Sequence, residues 1–380
     1  MKSDGSQGIG RREFLRLAGV AGLAVAGMAC APAAAPPAAT PTKAAAAPSP
    51  VAKAPEVSPT PSDQDAMAKL YEAAKKEGEV MVYGCGTKQD FDDIAAAFTQ
   101  KYPGIKAEGY IATSEQVRDK ILSEAKARKV IGETFYRVPL GDAYVYLQEG
   151  VLEPFVSVQA KAFDSTHYDS KGSWYLQAWY PFLPEYNTKI IPKEQAPKSY
   201  ADMLKPEFKG KLGLEANAVS WFTSMLSVMG KEKGLEYMRK LAEQKPRLIS
   251  GHYNLQALVV SGEVPVAVYM NSSIVMLEKG KGSPIEWIDP VEGTGAEFVF
   301  TATLKNAPHP NAARLMSEFL LSEEGAKLVL KTLQLPTRKG VDLGNLAPVA
   351  KVKSPTQPDP QRGKEIIDNS PIFREIFGKP

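Results

Sequence analysis

From Glu79 onward the chain repeats one pattern: a short run rich in β-branched and aromatic residues, a polar turn, then an amphipathic helix. Glu79 to Tyr83 reads as a buried strand, and Gly84-Cys85-Gly86-Thr87 as the turn at its end. Phe91, Ile94, Ala95 and Phe98 fall on one face of a helix that Pro103-Gly104 stops. Ile105 to Ile111 is the next strand, and Thr113 to Gln116 offers a capping box into a helix running to Ala127. Phe135 to Val138 is a third strand, followed by Gly141-Asp142 and a short helix to Gln148. Strand–helix units in series demand parallel strands with crossover helices on the faces of the sheet, which leaves few topologies other than an open α/β fold.

Ser62-Asp63 caps a helix ahead of this series, with Met67, Leu70, Tyr71 and Ala74 on its buried face. A second series follows an aromatic run, Trp174 to Asn187. It consists of strands at 211–215, 247–250 and 265–270 and helices at 220–229, 235–242, 254–261 and from about 272. Later strands lie at 286–288 and 298–303, and helices at 311–320 and 322–331. The Pro- and charge-rich tail after Pro348 reads as wrapping or partly loose. More than 300 residues after Ser62 suffice for two lobes.

The N-terminus reads as an address. RREFLRLAGVAGLAVAGMAC, residues 11–30, holds an apolar stretch interrupted by Gly19, Gly22 and Gly27. A spanning helix needs about 20 apolar residues, and glycines weaken a buried helix. Paired arginines before Phe14-Leu15 fit a twin-arginine export signal. Cys30 follows small residues and is the expected lipidation site, with residues 31–61 as a Pro/Ala-rich linker lifting the body off a membrane. Simple cleavage of the leader is the alternative. Cys85 is the remaining cysteine, so no internal disulfide is expected in the body. A net charge of +3, without basic runs interleaved with aromatics, argues against nucleic acid.

Catalytic signatures are missing. His167, His252 and His309 stand far apart and form no zinc-helix pattern. There is no G-x-S-x-G elbow and no phosphate-binding loop of the G-x-x-x-x-G-K-[ST] type, and Gly84-Cys85-Gly86 lacks the further glycine of a dinucleotide fingerprint. Cys85 has no local base to make it a nucleophile. No cofactor, resident metal or enzymatic activity is expected.

YEAAKKEGEVMVYG (71–84), FTQKYPGIK (98–106), LQEGVLEPF (147–155), YNTKIIP (186–192), YADMLKPEFKGKLGL (200–214), SGEVPVAV (261–268) and KNAPHPNAARLMSEFLLSEEGAKLVL (305–330) stand in an order and spacing that resemble extracellular solute-binding proteins of ABC importers. The resemblance spans about residues 64–340 and is strongest to the branch with ferric-iron-binding and related periplasmic receptors. It implies an α/β, two-lobe periplasmic-binding-protein-like fold of type II, hinge-linked, with the ligand cleft between the lobes. By that analogy lobe one is 62–181 with 269–304, and lobe two is 182–268 with 305–380.

The cleft of such a fold is built from turns at strand ends. On lobe one these are Cys85, Gly86 and Thr87, then Thr113 and Ser114, then Leu140, Gly141 and Asp142. Trp179 and Tyr180 lie near the hinge, and on lobe two come Asn217, Trp221, Tyr269, Asn271, Ser272 and Ser273. The iron-binding branch has two adjacent tyrosines where Ser272 and Ser273 stand here, which disfavours Fe(III). A serine pair at a helix start favours a small polar, anionic organic solute. An amine held by Asp142, Glu215 and aromatics is the cationic alternative. The expected protein is thus a monomeric receptor, exported and anchored through Cys30 at the periplasmic or outer face of the membrane, that hands its solute to an ABC permease. A ferric-iron receptor, a sensor for a signalling partner, and an exported two-lobed hydrolase or transferase are the competing readings.

Overall fold

The computed structural model describes residues 60–378. The leader, the linker to residue 59 and Cys30 lie outside the described residues. Helix α1 (Pro61–Glu77) leads into the first series: β1 (Glu79–Cys85), α2 (Lys88–Lys101), β2 (Lys106–Ala112), α3 (Ser114–Ala127), β3 (Thr134–Pro139) and α4 (Leu140–Gln148). The short β4 (Leu152–Glu153) precedes the long β5 (Tyr175–Asn187). The second series is β6 (Leu212–Glu215), α5 (Val219–Met229), α6 (Lys231–Glu243), β7 (Arg247–Ile249), α7 (His252–Ser261), β8 (Val266–Asn271), α8 (Ser272–Gly280) and β9 (Ile285–Trp287). The chain closes with β10 (Ala296–Leu304), α9 (Pro310–Leu321), α10 (Glu323–Lys331), β11 (Leu335–Pro336) and α11 (Gly363–Phe377).

The strands run in the order β2-β1-β3-β10-β5-β8-β6-β7, with β5 common to two halves. Its first half pairs antiparallel with β10, from Tyr175 to Pro181. Its second half, from Phe182, pairs antiparallel with β8, and its end pairs with β9. β1 pairs parallel with β2 and β3, and β6 pairs parallel with β7 and β8, as the alternation requires. Each half has its own cores. In lobe one, Val80, Val82, Phe91, Phe98 and Phe319 pack on one face of the sheet and Tyr83, Phe135, Tyr146 and Phe300 on the other. In lobe two, Trp221, Phe222, Met238 and Val268 pack on one face and Leu183, Leu255, Val259 and Met270 on the other.

Two segments depart from the expected division. Residues 269–288 do not return to the first sheet: α8 buries Ile274 and Val275 against Leu183 and Met270, and β9 pairs with β5 in lobe two. The return comes at β10. Conversely, α9 belongs with lobe one, because Leu315, Met316 and Phe319 fill the core under Val80 and Phe98. The aromatic run is one continuous strand, since its side chains are buried on both faces of a sheet that changes partners midway. The tail ends in a packed helix, α11, rather than a loose segment.

Candidate functional site

The register of pairing shows where the two halves meet. Pro139, the last residue of β3, stands opposite Val299 of β10, and Val299 stands opposite Ala178 of β5. Three residues on, Pro181 pairs with Ala296, and the next residue, Phe182, pairs with Asn271, the last residue of β8. The carboxyl end of β3 in lobe one and that of β8 in lobe two therefore point at the same crossing. The ends of β1 and β6, side by side with these, do the same. Open α/β sheets bind ligands at such ends.

On lobe one, Cys85 is half-buried at the tip of β1, Gly86 is exposed, and Thr87 is exposed as the N-cap of α2. Thr113 caps α3 and is exposed, with Ser114 half-buried. Both helices spend their first donors on themselves. Thr87 N–H donates to Asp90 Oδ2 at 3.0 Å and Asp90 N–H to Thr87 Oγ1 at 3.1 Å. Thr113 and Gln116 repeat the exchange on α3. Helix α4 has proline as its N-cap and no side-chain cap. Instead its first N–H, on Leu140, donates to Glu297 Oε1 at 3.4 Å. Asp142 is buried and pairs with Arg118 Nη1 at 2.9 Å. Burial pushes its carboxyl up to about 6, with Arg118 opposing.

At the crossing, Glu297 lies opposite Tyr180 in the ladder. It is buried, accepts from Leu140 N–H and from its neighbour Phe298 N–H at 3.2 Å, and bonds the Ser220 side chain in the first turn of α5. One carboxyl thus touches the start of a lobe-one helix and the start of a lobe-two helix. Burial pushes it up to about 7, and the Ser220 hydrogen bond works against that rise. Tyr180 is half-buried, and its phenol is held well above the ordinary value, first by desolvation and then by Glu297.

On lobe two, Asn217 is exposed and its N–H donates to Glu215 Oε2 at 2.7 Å. The other Glu215 oxygen accepts from Gly251 N–H at 3.2 Å, ahead of α7. Tyr269 is buried, with its hydroxyl 3.2 Å from His252 Nε2 and its ring stacked on Trp221 at 5.1 Å between centroids. Burial lowers the His252 value, with Glu215 opposing. Asn271 begins α8 without a side-chain cap, Ser273 is half-buried, and the buried Ser272 hydroxyl has no hydrogen-bond partner among the described residues.

The structure separates the expected residues into two groups. Cys85, Thr87, Ser114, Asn217, Asn271 and Ser273 stand at the ends of β1, β2, β6 and β8 or at the starts of the helices that follow, and Tyr180 lies within β5 one residue before Pro181. Trp221 is fully buried in the lobe-two core, so its role is packing beneath Tyr269 rather than walling a cleft. Trp179 packs into the cores of both lobes. Leu140 is buried, and Gly141 lies beneath Ile366 of α11, which covers that tip. Glu297, Arg118, His252 and Arg137 escaped sequence reading. Arg137 takes φ 58° at a bulge in β3, where Tyr136 and Arg137 together oppose the single residue Thr301, and its Nη1 donates to Asp90 Oδ2 at 2.8 Å. A lone acid in the apolar run AEFVFTATL and a lone arginine in TFYRVP were the signals available. Burial pushes the Cys85 thiol up to about 12, the reverse of an activated nucleophile.

Residues 130–359 match the model of the bacterial extracellular solute-binding protein family, more than half of the chain. The chain belongs to that family. It is 27% identical over 197 residues to the spermidine/putrescine-binding periplasmic protein of Salmonella typhimurium, covering 48% of this chain and 56% of that one. An uncharacterised Haemophilus influenzae protein is 26% identical over 188 residues, covering 47% of this chain and 52% of that protein. The chain spans about half the length of the curated relatives it matches. Among solved structures, the periplasmic binding protein AfuA of Actinobacillus pleuropneumoniae, with fructose-6-phosphate bound, superposes with a TM-score of 0.69 at 22% identity, covering 79% of this chain and 99% of that one. Iron-bound HitA of Pseudomonas aeruginosa gives 0.68 at 22%, covering 78% and 99%. These likenesses establish the type II two-lobed fold. No helix among the described residues is long and apolar enough to cross a membrane.

Proposed function

We propose that this protein is the receptor of an ABC importer: it captures a small solute between its two lobes outside the cytoplasm and presents it to a permease, changing no covalent bond. The observation that carries the reading is the meeting of both sets of strand ends at one crossing. A guest touching both lobes favours their closed arrangement through its contacts with each. A twin-arginine leader and lipidation at Cys30 would deliver and tether a monomeric receptor, and its family is extracellular.

For the guest, the charges favour a solute with an ammonium group. Helices α2 and α3 are self-capped, Glu297 takes the first N–H of α4 and the Ser220 side chain of α5, and Glu215 takes the Gly251 N–H ahead of α7, so several donors an anion would use are spent. Neither Glu215 nor Glu297 has a Lys or Arg within salt-bridge distance among the described residues, and Tyr180 and Tyr269 stand beside them. Buried carboxyls lacking a cation gain most from an incoming one. The relative named for spermidine and putrescine is consistent with this. The anionic reading keeps one specific support: the uncapped start of α8 with its unpartnered Ser272 hydroxyl. Titration calorimetry with putrescine, spermidine, phosphate, citrate and ferric citrate decides between them. Saturable binding of an amine, with a proton released from Glu297, is expected. Binding of phosphate or ferric ion alone refutes the amine assignment, and a turnover product from any of them refutes the receptor.

A further inference from the structure

Lobe two encloses a carboxyl and an amide under α7, the helix that packs Leu255 and Val259 into the core with Leu183 and Met270. Glu185 lies in the second half of β5, opposite Ala267 of β8 and Trp287 of β9, and is fully buried. Gln256, one turn into α7, is buried as well. Neither oxygen of Glu185 and neither polar atom of the Gln256 amide has a hydrogen bond of ordinary geometry among the described residues. Burial pushes the Glu185 carboxyl up to about 8, with the nearby Gln256 side chain opposing and Glu278 of α8 adding to the rise. Glu278 is itself paired with Lys281 at 2.6 Å. Glu286 of β9 stands opposite Tyr186, on the other face of the sheet, and takes Lys279 with it. Glu185 therefore has no cation to hold its charge. Two polar groups shut in together have one dry solution. A protonated Glu185 donates its O–H to Gln256 Oε1, and Gln256 Nε2 donates back to the other carboxyl oxygen. Ionised, the acid keeps only the second bond and carries an unpaired charge.

We propose that Glu185 and Gln256 form a proton-dependent clamp under the first half of α7, so that each local opening of that half releases one proton and the lobe-two wall of the site loosens as pH rises. The two halves of α7 are tied to β5 differently. Asn187 Nδ2 donates to the Val259 and Val260 carbonyls at 2.8 and 3.1 Å, which fixes the end of the helix whatever the pH. Toward the start, the acid–amide pair takes that role. The first turn carries His252 beside Tyr269, and Gly251 just ahead of it gives its N–H to Glu215. The closed form holds Glu185 above the ordinary 4.5 of an opened, hydrated carboxyl, so the closed form binds the extra proton. Opening therefore becomes easier by about tenfold per pH unit between the two values and levels off above about 8. His252, lowered by burial, works in the opposite sense, but only below its ordinary 6.5. The inference rests on the receptor reading only for its consequence at the site.

The test is amide exchange of the full chain without solute between pH 6.5 and 8, with intrinsic exchange rates divided out. Protection of residues 252–256 is expected to fall by about tenfold per pH unit, while that of 259–261 stays level. In Glu185→Gln, whose amide pairs with Gln256 at any pH, protection of 252–256 is expected to be level too. Infrared difference spectra at pH 7 supply a second readout: a protonated-carboxyl band in the parent that Glu185→Gln lacks. Protection of 252–256 that ignores pH in the parent overturns the clamp, as does a parent spectrum without that band, which would mean an ionised, hydrated Glu185. If Glu185→Gln fails to fold, the slope in the parent decides, with Gln256→Met expected to lower protection of 252–256 at pH 6.5 and to leave 259–261 unchanged. Calorimetry with putrescine at pH 6.5 and 9 then reads the consequence: affinity of the parent is expected to fall relative to that of Glu185→Gln. Absence of putrescine binding at both pH values counts against the amine assignment, and the clamp is then judged by exchange and the infrared band.

Discussion

Replacing Glu297 by Gln separates the cost of burying a carboxyl from the benefit of its hydrogen bonds. The glutamine carbonyl can still accept from Leu140 and Phe298, so the geometry at the crossing is retained. What changes is the proton. Shifting this carboxyl from an ordinary 4.5 to about 7 corresponds to about 3 kcal/mol of preference for the protonated form. The folded value is the higher one, so between these two pH values the folded state binds more protons than the unfolded chain. Stability therefore falls as pH rises through that window and levels off above about 7. Asp142, raised to about 6 by burial, adds to the same trend. In Glu297→Gln the contribution of residue 297 vanishes. The variant is expected to match the parent within about 1 kcal/mol at pH 4.5 and to exceed it by about 2–3 kcal/mol at pH 8.5. Urea unfolding at both pH values, followed by circular dichroism and tryptophan fluorescence, measures this. A stability difference that is the same at the two pH values refutes the argument, because it would mean that Glu297 is ionised at no cost in the folded protein.

Trp221→Ala is expected to lose about 3–5 kcal/mol in denaturant unfolding, because the ring is a core element rather than a cleft wall; a loss below 1 kcal/mol would contradict its burial. Gly84→Ala places a methyl about 2.0 Å from the Tyr136 ring and should cost about 1–3 kcal/mol, read as a lowered thermal midpoint. Glu133 accepts from Met81 N–H and His309 N–H, each at 2.7 Å, so Glu133→Ala strands two backbone donors and should cost about 2–4 kcal/mol by the same assay. Iodoacetamide at pH 8 should alkylate Cys85 at least about tenfold more slowly than a free thiol; equal rates would show that the raised value is wrong.

Much of the fold was legible because its signals are local. The capping boxes at Thr87 and Thr113 start the helices that the sequence places there, and β1 and β3 end at Cys85 and Pro139, a residue or two beyond the expected ends at Tyr83 and Val138. Lobe membership was not legible, because it depends on which core a helix joins. Nothing in the apolar spacing of 311–320 tells Val80 from Val266 as a partner, since any apolar stripe suits either sheet. The site was legible to the extent that it consists of strand ends. Its charges were hidden for a different reason: Glu297 and Arg137 sit in runs that look like core, Arg118 sits in a charged helix like any solvent-facing residue, and their partners Leu140, Asp90 and Asp142 lie far off in the sequence. Trp221 misled in the opposite sense, since an aromatic after a strand serves equally as wall or as filling.

Strand β5 gives the molecule an unusual axle. Its segment Pro181-Phe182-Leu183-Pro184 passes from one sheet to the other, and two of these four residues have no N–H to give to a neighbour. Pairing slips between Val299 and Phe300 on the lobe-one side and between Leu183 and Glu185 on the lobe-two side. At Pro181-Phe182 the ribbon changes partner from β10 to β8, and the two prolines give this step fewer backbone donors than any other stretch of its length in β5. Any rocking of one body against the other concentrates as twist in that short length of backbone, so the same strand that sets the spacing of the two bodies also sets the axis about which they can turn.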